Sequence, residues 1–220
     1  MLKKVVGKTL VAKKKHAALV FDRLMVMYPD AHCELDFSSP YQLLVATILS
    51  AQCTDKRVNM VTPALFTRYP EAGALALAKH EDVEEIIRST GFFRAKSKSL
   101  IGMAGAVIDR HHGSIPASME ELVQLPGVGR KTANVVLGNA FQKDEGIVVD
   151  THVVRVGGRL GLHSESDPVK IETALVALYP RARWTLLSHL LIWHGRRICD
   201  ARRPKCEACP LNDVCPSSLV

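Results

Sequence analysis

The sequence predicts an all-α fold. Three observations carry that expectation. Apolar residues recur at helical spacing along almost the whole chain, the starts and stops of those runs are marked by capping residues, proline and glycine, and only Ile147 to Val149 reads as extended. Three extended residues do not make a sheet, and no fixed-period repeat is present.

Each element has its own signal. Val20, Leu24 and Met27 lie one helical turn apart before Tyr28-Pro29 ends the run. Ser38-Ser39-Pro40 combines a capping hydroxyl with proline in the first turn, leading into Leu43, Leu44, Thr47 and Ile48. A further helix should start near Thr54 or Asp55. Glu81 to Thr90 is the next, with Gly91 placed to end it, and Arg94 to His111 follows up to Gly113. Ser118 and Glu121 have the spacing of a capping box. Lys131 to Phe141 is rich in alanine, valine and leucine. Asp150 would cap a helix over 151–160, Asp167-Pro168 opens another that ends at Tyr179-Pro180, and Arg183 to His194 is the last long one. Trp184 and Trp193 are expected in the core of that last region. Beyond it, Pro204, Pro210 and Pro216 break the periodicity, as in a metal-stapled loop.

With 220 residues, 47% of them hydrophobic, the chain can bury a substantial core. No apolar run approaches the roughly 20 residues of a membrane span. A charged fraction of 23% without low-complexity stretches excludes a disordered chain. The first ten residues lack the apolar region of a secretory signal, so a secreted protein is not expected. The net charge of +7 is concentrated. Lys3, Lys4, Lys8, Lys13, Lys14 and Lys15 stand near the start without an acid among them, and Arg196, Arg197, Arg202, Arg203 and Lys205 face only Asp200 near the end. A polyanion, most simply a nucleic acid, explains such clustering; a solvated tail and loop would give the same count.

Three motifs carry chemistry. In Leu125-Pro126-Gly127-Val128-Gly129-Arg130-Lys131, two glycines let the backbone turn tightly, and the following helix points its positive end at the same place. That arrangement binds a phosphate without reading sequence. With Leu-Pro before it and Arg-Lys-Thr-Ala-Asn after it, the segment has the pattern of a helix-hairpin-helix DNA-binding element rather than a plain interhelical turn.

The second motif is Val149-Asp150-Thr151-His152, nineteen residues beyond Lys131. A neutral lysine amine can attack a sugar carbon and form a Schiff base. At a reference pKa of about 10.4 only about one in 2,500 would be neutral at pH 7, so burial and the adjacent helix end are expected to push it down. Lys131 as a phosphate contact and Asp150 as a simple helix cap are the alternatives. His152 orients DNA or the carboxylate, or is structural.

Third, Cys199, Cys206, Cys209 and Cys215 crowd into seventeen residues, away from Cys33 and Cys53. Without a secretory signal they read as metal ligands, and four thiolates suit zinc or a cubane iron–sulfur cluster. A metal there would fix the loop that carries Arg202, Arg203 and Lys205.

Together these residues resemble the endonuclease III family of DNA glycosylases. The resemblance covers roughly residues 16–216 and rests on Ser50-Ala51-Gln52-Cys53-Thr54-Asp55, Leu125 to Leu137, Val149 to His152 and the four-cysteine spacing, all in the expected order. It implies two helical lobes with the DNA cleft between them. One is a six-helix barrel at about 33–144. The other is an iron–sulfur lobe made of 1–32 and 145–220. It also implies removal of oxidised or ring-saturated pyrimidines from duplex DNA, followed by β-elimination at the abasic site. By the resemblance Lys131 is the nucleophile at C1′ and Asp150 the catalytic carboxylate. Cys199, Cys206, Cys209 and Cys215 hold a 4Fe–4S cluster, Gln52 fills the gap left by the extruded base, and Phe92 wedges into the stack. Leu125, Gly127, Val128, Gly129, Arg130, His152, Arg202, Arg203 and Lys205 are the further expected DNA contacts. The expected partner is double-stranded DNA with a damaged pyrimidine or abasic site, bound by a monomer.

The chain departs from the family pattern at the wedge, Gly91-Phe92-Phe93-Arg94, where aliphatic, aromatic and polar residues are commoner, and at Cys53, which reads as a packing substitution. The lysine-rich start lies outside the pattern and suggests a DNA-tethering arm. A monofunctional adenine or mismatch-thymine glycosylase is the alternative activity. Against it stand Lys131 after Gly127-Val128-Gly129-Arg130 and a chain that ends five residues after Cys215, where the adenine enzymes usually continue. A non-enzymatic DNA-binding module with a structural metal would have no need of both Lys131 and Asp150.

Overall fold

The computed structural model describes Gly7 and residues 9–220, and among these it contains only helices and loops. The expected extended segment at Ile147 to Val149 forms no strand; its Val148 N–H instead donates to Ser188 Oγ at 3.0 Å. The helices group into two compact units. One is Cys33–Lys143, the other Met1–His32 with Asp144–Val220.

In the Met1–His32 and Asp144–Val220 unit, α1 spans Leu10–Met27. Thr9 caps it by accepting from the Ala12 N–H, and Ala17, Val20, Phe21 and Leu24 form its buried stripe. Lys13, Lys14 and Lys15 are therefore exposed on a helix, not on an arm, while Lys3, Lys4 and Lys8 lie outside the described residues. The stripe packs with α9 (Thr151–Arg159), α10 (Pro168–Leu178) and α11 (Trp184–Arg197) through Val153, Val156, Ile171, Leu187, Leu190 and Leu191. Burying each such aliphatic side chain is worth about 1.5–3 kcal/mol. Trp184 and Trp193 are half-buried instead of sealed in the core, because each indole N–H reaches a loop carbonyl, Tyr179 and His32 respectively.

The Cys33–Lys143 unit is built around α2 (Pro40–Leu49). Eight of its ten residues are buried, so it is apolar on every side and runs through the middle of its unit. Around it stand α3 (Asp55–Arg68), α4 (Ala72–Ala76), α5 (His80–Ile87), α6 (Phe93–His111), α7 (Met119–Leu122) and α8 (Arg130–Ala140). The expected helix over Glu81 to Thr90 is α5 followed by a 3-10 turn, Arg88–Thr90. Half of the Ser118–Glu121 box is present: the Glu121 N–H donates to Ser118 Oγ at 3.3 Å, while that hydroxyl turns to the Glu121 carboxylate. The helix it starts is only one turn long.

Candidate nucleic-acid interface and metal centre

The hairpin is anchored from inside. Leu125 and Val128 are only 3% and 6% exposed and belong to the unit's core. Their side chains therefore serve the core, and the Val128 N–H donates to the Leu125 carbonyl at 3.1 Å. Gly127 has φ +77°, and a Cβ there would stand 2.7 Å from Ser99 Cβ on α6, so conformation and space both require glycine. Gly129 differs. It precedes α8 with extended backbone, and a Cβ there would meet nothing within 4 Å. It offers no side-chain cap, so the first turn of α8 starts without a capping acceptor at the positive end of the helix. Lys131, in that first turn, is exposed, and its amine has no partner among the described residues. Burial, one of the two influences expected to favour a neutral amine, is thus absent in the unbound chain.

Gln52 and Phe92 share an unusual backbone. Among the described residues, four other than glycine have positive φ. His112 and Gln142 are explained by helix ends, where the following N–H bonds back to Val107 or Leu137. Gln52 (φ 52°) sits in the turn closed by Cys53 N–H to the Ser50 carbonyl, and Phe92 (φ 48°) is the residue before α6. Left-handed backbone costs about 1–3 kcal/mol at such residues, and its place is most often a functional one. Both side chains are exposed, Phe92 at 66%. Phe93 instead packs against the core, with the Arg88 and Arg94 guanidinium groups over its ring at 5.7 and 5.5 Å.

A buried lysine lies between the two segments. Lys96 on α6 is 5% exposed, and its Nζ donates to the Leu49 and Thr90 carbonyls, both at 2.8 Å. Burial lowers its pKa, and the neighbouring Cys53 opposes that shift.

Asp150 caps α9: one oxygen, Oδ1, accepts from the His152 and Val153 N–H groups at 2.8 Å each. Its Oδ2 has no hydrogen-bond partner among the described residues. His152 is tucked inward, its Nδ1 3.1 Å from Arg155 Nη2 and so close to Gly195 that a Cβ there would stand 2.8 Å from it. Arg155 and Arg159 lie on one face of α9 and grip the segment that begins at Cys199. Arg155 donates to the Gly195 and Cys199 carbonyls, and Arg159 to the Asp200 carbonyl at 2.7 Å, the Ala201 carbonyl at 2.8 Å and Cys199 Sγ at 3.4 Å. From α1, Arg23 holds the same segment through the Pro210 carbonyl and the Asp213 carboxylate.

Cys199, Cys206, Cys209 and Cys215 line one pocket together with Arg159 and His194. Among the described residues no three His, Cys, Asp or Glu side chains close on a point as they would around a single metal ion; the four thiols ring a space instead. Burial raises the Cys209 thiol pKa; a hydrogen bond from the Leu211 backbone opposes the shift, and the other three sulfurs add to it. Burial holds His194 down at about 4, hence neutral. Its Nδ1 lies 3.2 Å from the Tyr28 hydroxyl and its Nε2 3.5 Å from Cys209 Sγ, so a hydroxyl donating to Nδ1 leaves Nε2–H directed at sulfur. Four sulfurs with N–H donors aimed at two of them form a donor set that fits an iron–sulfur cluster. Cys33 and Cys53 pack against the other unit's core. In the Cys199–Cys206 loop, Asp200 accepts the Arg202 and Arg203 N–H groups, which lowers its pKa. The Arg202, Arg203 and Lys205 side chains are exposed, without a protein partner among the described residues.

Lys96, Arg155, Arg159 and His194 were not singled out from the sequence. The two arginines had a signal, since they are four apart on a helix capped by Asp150. Lys96 had only a weak one, a cation in register with the apolar stripe of Leu100, Met103 and Val107.

Residues 45–181 match the HhH-GPD superfamily base excision DNA repair protein family, and residues 199–215 match the iron–sulfur binding domain of endonuclease III. The chain is 51% identical over 209 residues to Endonuclease III of Synechocystis sp., with 95% of each chain covered. It is 42% identical over 202 residues to Endonuclease III of Bacillus subtilis, covering 91% of this chain and 92% of the relative. The solved structure of a non-covalent Endonuclease III–DNA complex is similar at a TM-score of 0.89 and 40% identity, covering 93% of this chain and 96% of that one. A helical protein with a helix-hairpin-helix and a four-cysteine segment is thereby placed in a class of base excision repair proteins. Within that class the chain belongs to the endonuclease III family, whose cofactor is a 4Fe–4S cluster.

Proposed function

We propose that this protein is a bifunctional DNA glycosylase and abasic-site lyase that removes oxidised or ring-saturated pyrimidines from duplex DNA in base excision repair. The observation that carries the reading is an accessible, unpartnered amine, Lys131, in the first turn after the hairpin, together with a carboxylate, Asp150, that keeps one oxygen uncommitted. The kinship with endonuclease III supports it. The N–H groups that follow Gly129, and the Arg202, Arg203 and Lys205 cations, hold backbone phosphates. Gln52 and Phe92 enter the duplex where the damaged nucleotide leaves it. DNA then covers Lys131 and supplies the desolvation that the unbound chain lacks.

Neutral Lys131 attacks C1′ as the C1′–N bond to the base breaks, and the departing base takes a proton from water. Asp150 stabilises the positive charge that develops on the sugar and accepts the proton released by the lysine. Asp150 returns that proton to O4′ as the C1′–O4′ bond breaks, and the ring-opened Schiff base so formed acidifies the 2′ hydrogen, whose loss expels the 3′ phosphate by β-elimination. Water then releases Lys131. Cys199, Cys206, Cys209 and Cys215 would hold the 4Fe–4S cluster, which when bound supplies iron–thiolate bonds that staple the cationic loop. The protein acts as a monomer in the bacterial cytoplasm, at the nucleoid.

Borohydride reduction tests the nucleophile. Wild-type protein should be trapped on lesion-containing duplex, and Lys131→Ala should abolish the adduct while keeping most of its DNA affinity. A normal yield of adduct from Lys131→Ala would overturn the mechanism.

A further inference from the structure

Lys96 takes no part in the chemistry above, yet it is buried and reaches two distant pieces of chain. Its Nζ donates to Leu49 O, at the end of α2, and to Thr90 O, at the end of the 3-10 turn, both at 2.8 Å. Three residues beyond the first carbonyl stands Gln52, and two beyond the second stands Phe92; both are exposed and both have left-handed backbone. The Lys96 backbone N–H donates to the Phe92 carbonyl at 3.0 Å, the first intrahelical bond of α6. One residue therefore holds the backbone on both sides of Phe92 and, at the same point, the last turn before Gln52.

We propose that Lys96 is a positioning residue that couples the gap-filling Gln52 and the wedge Phe92, so that the two enter the duplex as one rigid device. This rests on the reading of Gln52 and Phe92 given above. An ammonium suits the task because it has three donors and no acceptor, and can satisfy two carbonyls from separate segments at once. Each of those carbonyls ends a helical turn, where the backbone carries partial negative charge and lacks an intrahelical partner. Lys96 is itself only 5% exposed, so its amine is held by the two carbonyls rather than by bulk water. Without it, the two left-handed turns remain connected only through separate helices, and the strain at each is no longer balanced by a shared contact.

The test uses the cluster-containing protein and two substrates. One is a duplex with a single oxidised pyrimidine, where a base must be extruded and its gap filled. The other is a single strand with one abasic site, where neither is needed. Phe92→Ala and Gln52→Ala should each lower duplex excision at least about tenfold more than single-strand cutting. Lys96→Met should show the same selective loss, and adding Lys96→Met to Phe92→Ala should cost less than the product of the two single effects. Equal loss on both substrates by Lys96→Met, or multiplicative losses in the double variant, would overturn the proposal while leaving the wedge intact. If Phe92→Ala and Gln52→Ala themselves lose both activities equally, the underlying reading falls and the proposal with it. Should Lys96→Met not fold, Lys96→Gln, which keeps one amide donor, is measured in the same way; failure of both to fold would place Lys96 in the stability of the unit and overturn a positioning role.

Discussion

Asp150 divides its carboxylate between two duties. Oδ1 takes the His152 and Val153 N–H groups and so starts α9, while Oδ2 is left over. Helix capping needs an acceptor and not a charge, whereas stabilising a cationic sugar needs the charge. Asp150→Asn should therefore leave the melting temperature nearly unchanged, since asparagine caps as well as aspartate. Base excision should slow by about 10²–10³-fold, on the scale of losing one preorganised electrostatic contact. Single-turnover kinetics beside a thermal melt separates the two duties; a silent substitution would reduce Asp150 to a cap. Lys131 contrasts with Lys96. One amine is exposed and without a protein partner, and the other is buried with two acceptors. Only the first can meet a sugar, and the second can act only through the backbone it holds.

At the scale of elements, the hairpin shows why two glycines two residues apart are not equivalent. Gly127→Ala would combine a positive φ with a methyl group 2.7 Å from Ser99 Cβ. It should cost on the order of 1–3 kcal/mol of stability by denaturant melt. Gly129→Ala meets open space at an ordinary backbone conformation, so the fold should be unaffected to within about 0.5 kcal/mol. Its methyl group would instead stand where a phosphate approaches, and gel-shift affinity should fall several-fold for any duplex. Helix α9 links two other parts of the machinery. Asp150 starts it, and Arg155 and Arg159 fasten the Cys199 segment to its far end. Replacing Arg159 by methionine removes hydrogen bonds from a charged group, each worth about 1.5–3 kcal/mol, and should lower both the melting temperature and the iron content of purified protein. An unchanged iron content would mean that the thiolates hold the loop unaided.

For the whole molecule, the distribution of charge matters more than its total. Part of the +7 lies on the exposed flank of α1, and part on the loop between Cys199 and Cys206. Replacing Arg202, Arg203 and Lys205 together with alanine should weaken binding to every duplex alike. It should also flatten the log–log salt dependence by up to about 0.9 per lost phosphate contact, measured by fluorescence anisotropy from low to physiological salt; an unchanged slope would remove these three from the interface. By itself, the sequence determined the all-helical class, most helix boundaries to within a residue or two, the hairpin and the four-cysteine segment. Each of those is written in local spacing: a cap, a periodic stripe, a glycine pair, a cluster of thiols. Tertiary structure alone decided that Leu125 and Val128 face the core, that Lys131 is exposed, that His152 is tied to Arg155, and that Lys96 spans Leu49 and Thr90. The Lys96–Leu49 bond joins residues 47 positions apart, and the Arg155–Cys199 bond residues 44 apart. No local propensity encodes such pairs, because a lysine or arginine on a helix looks the same in sequence whether its stem ends in water or on a buried carbonyl. Only the packing of helices distant in the chain makes that choice.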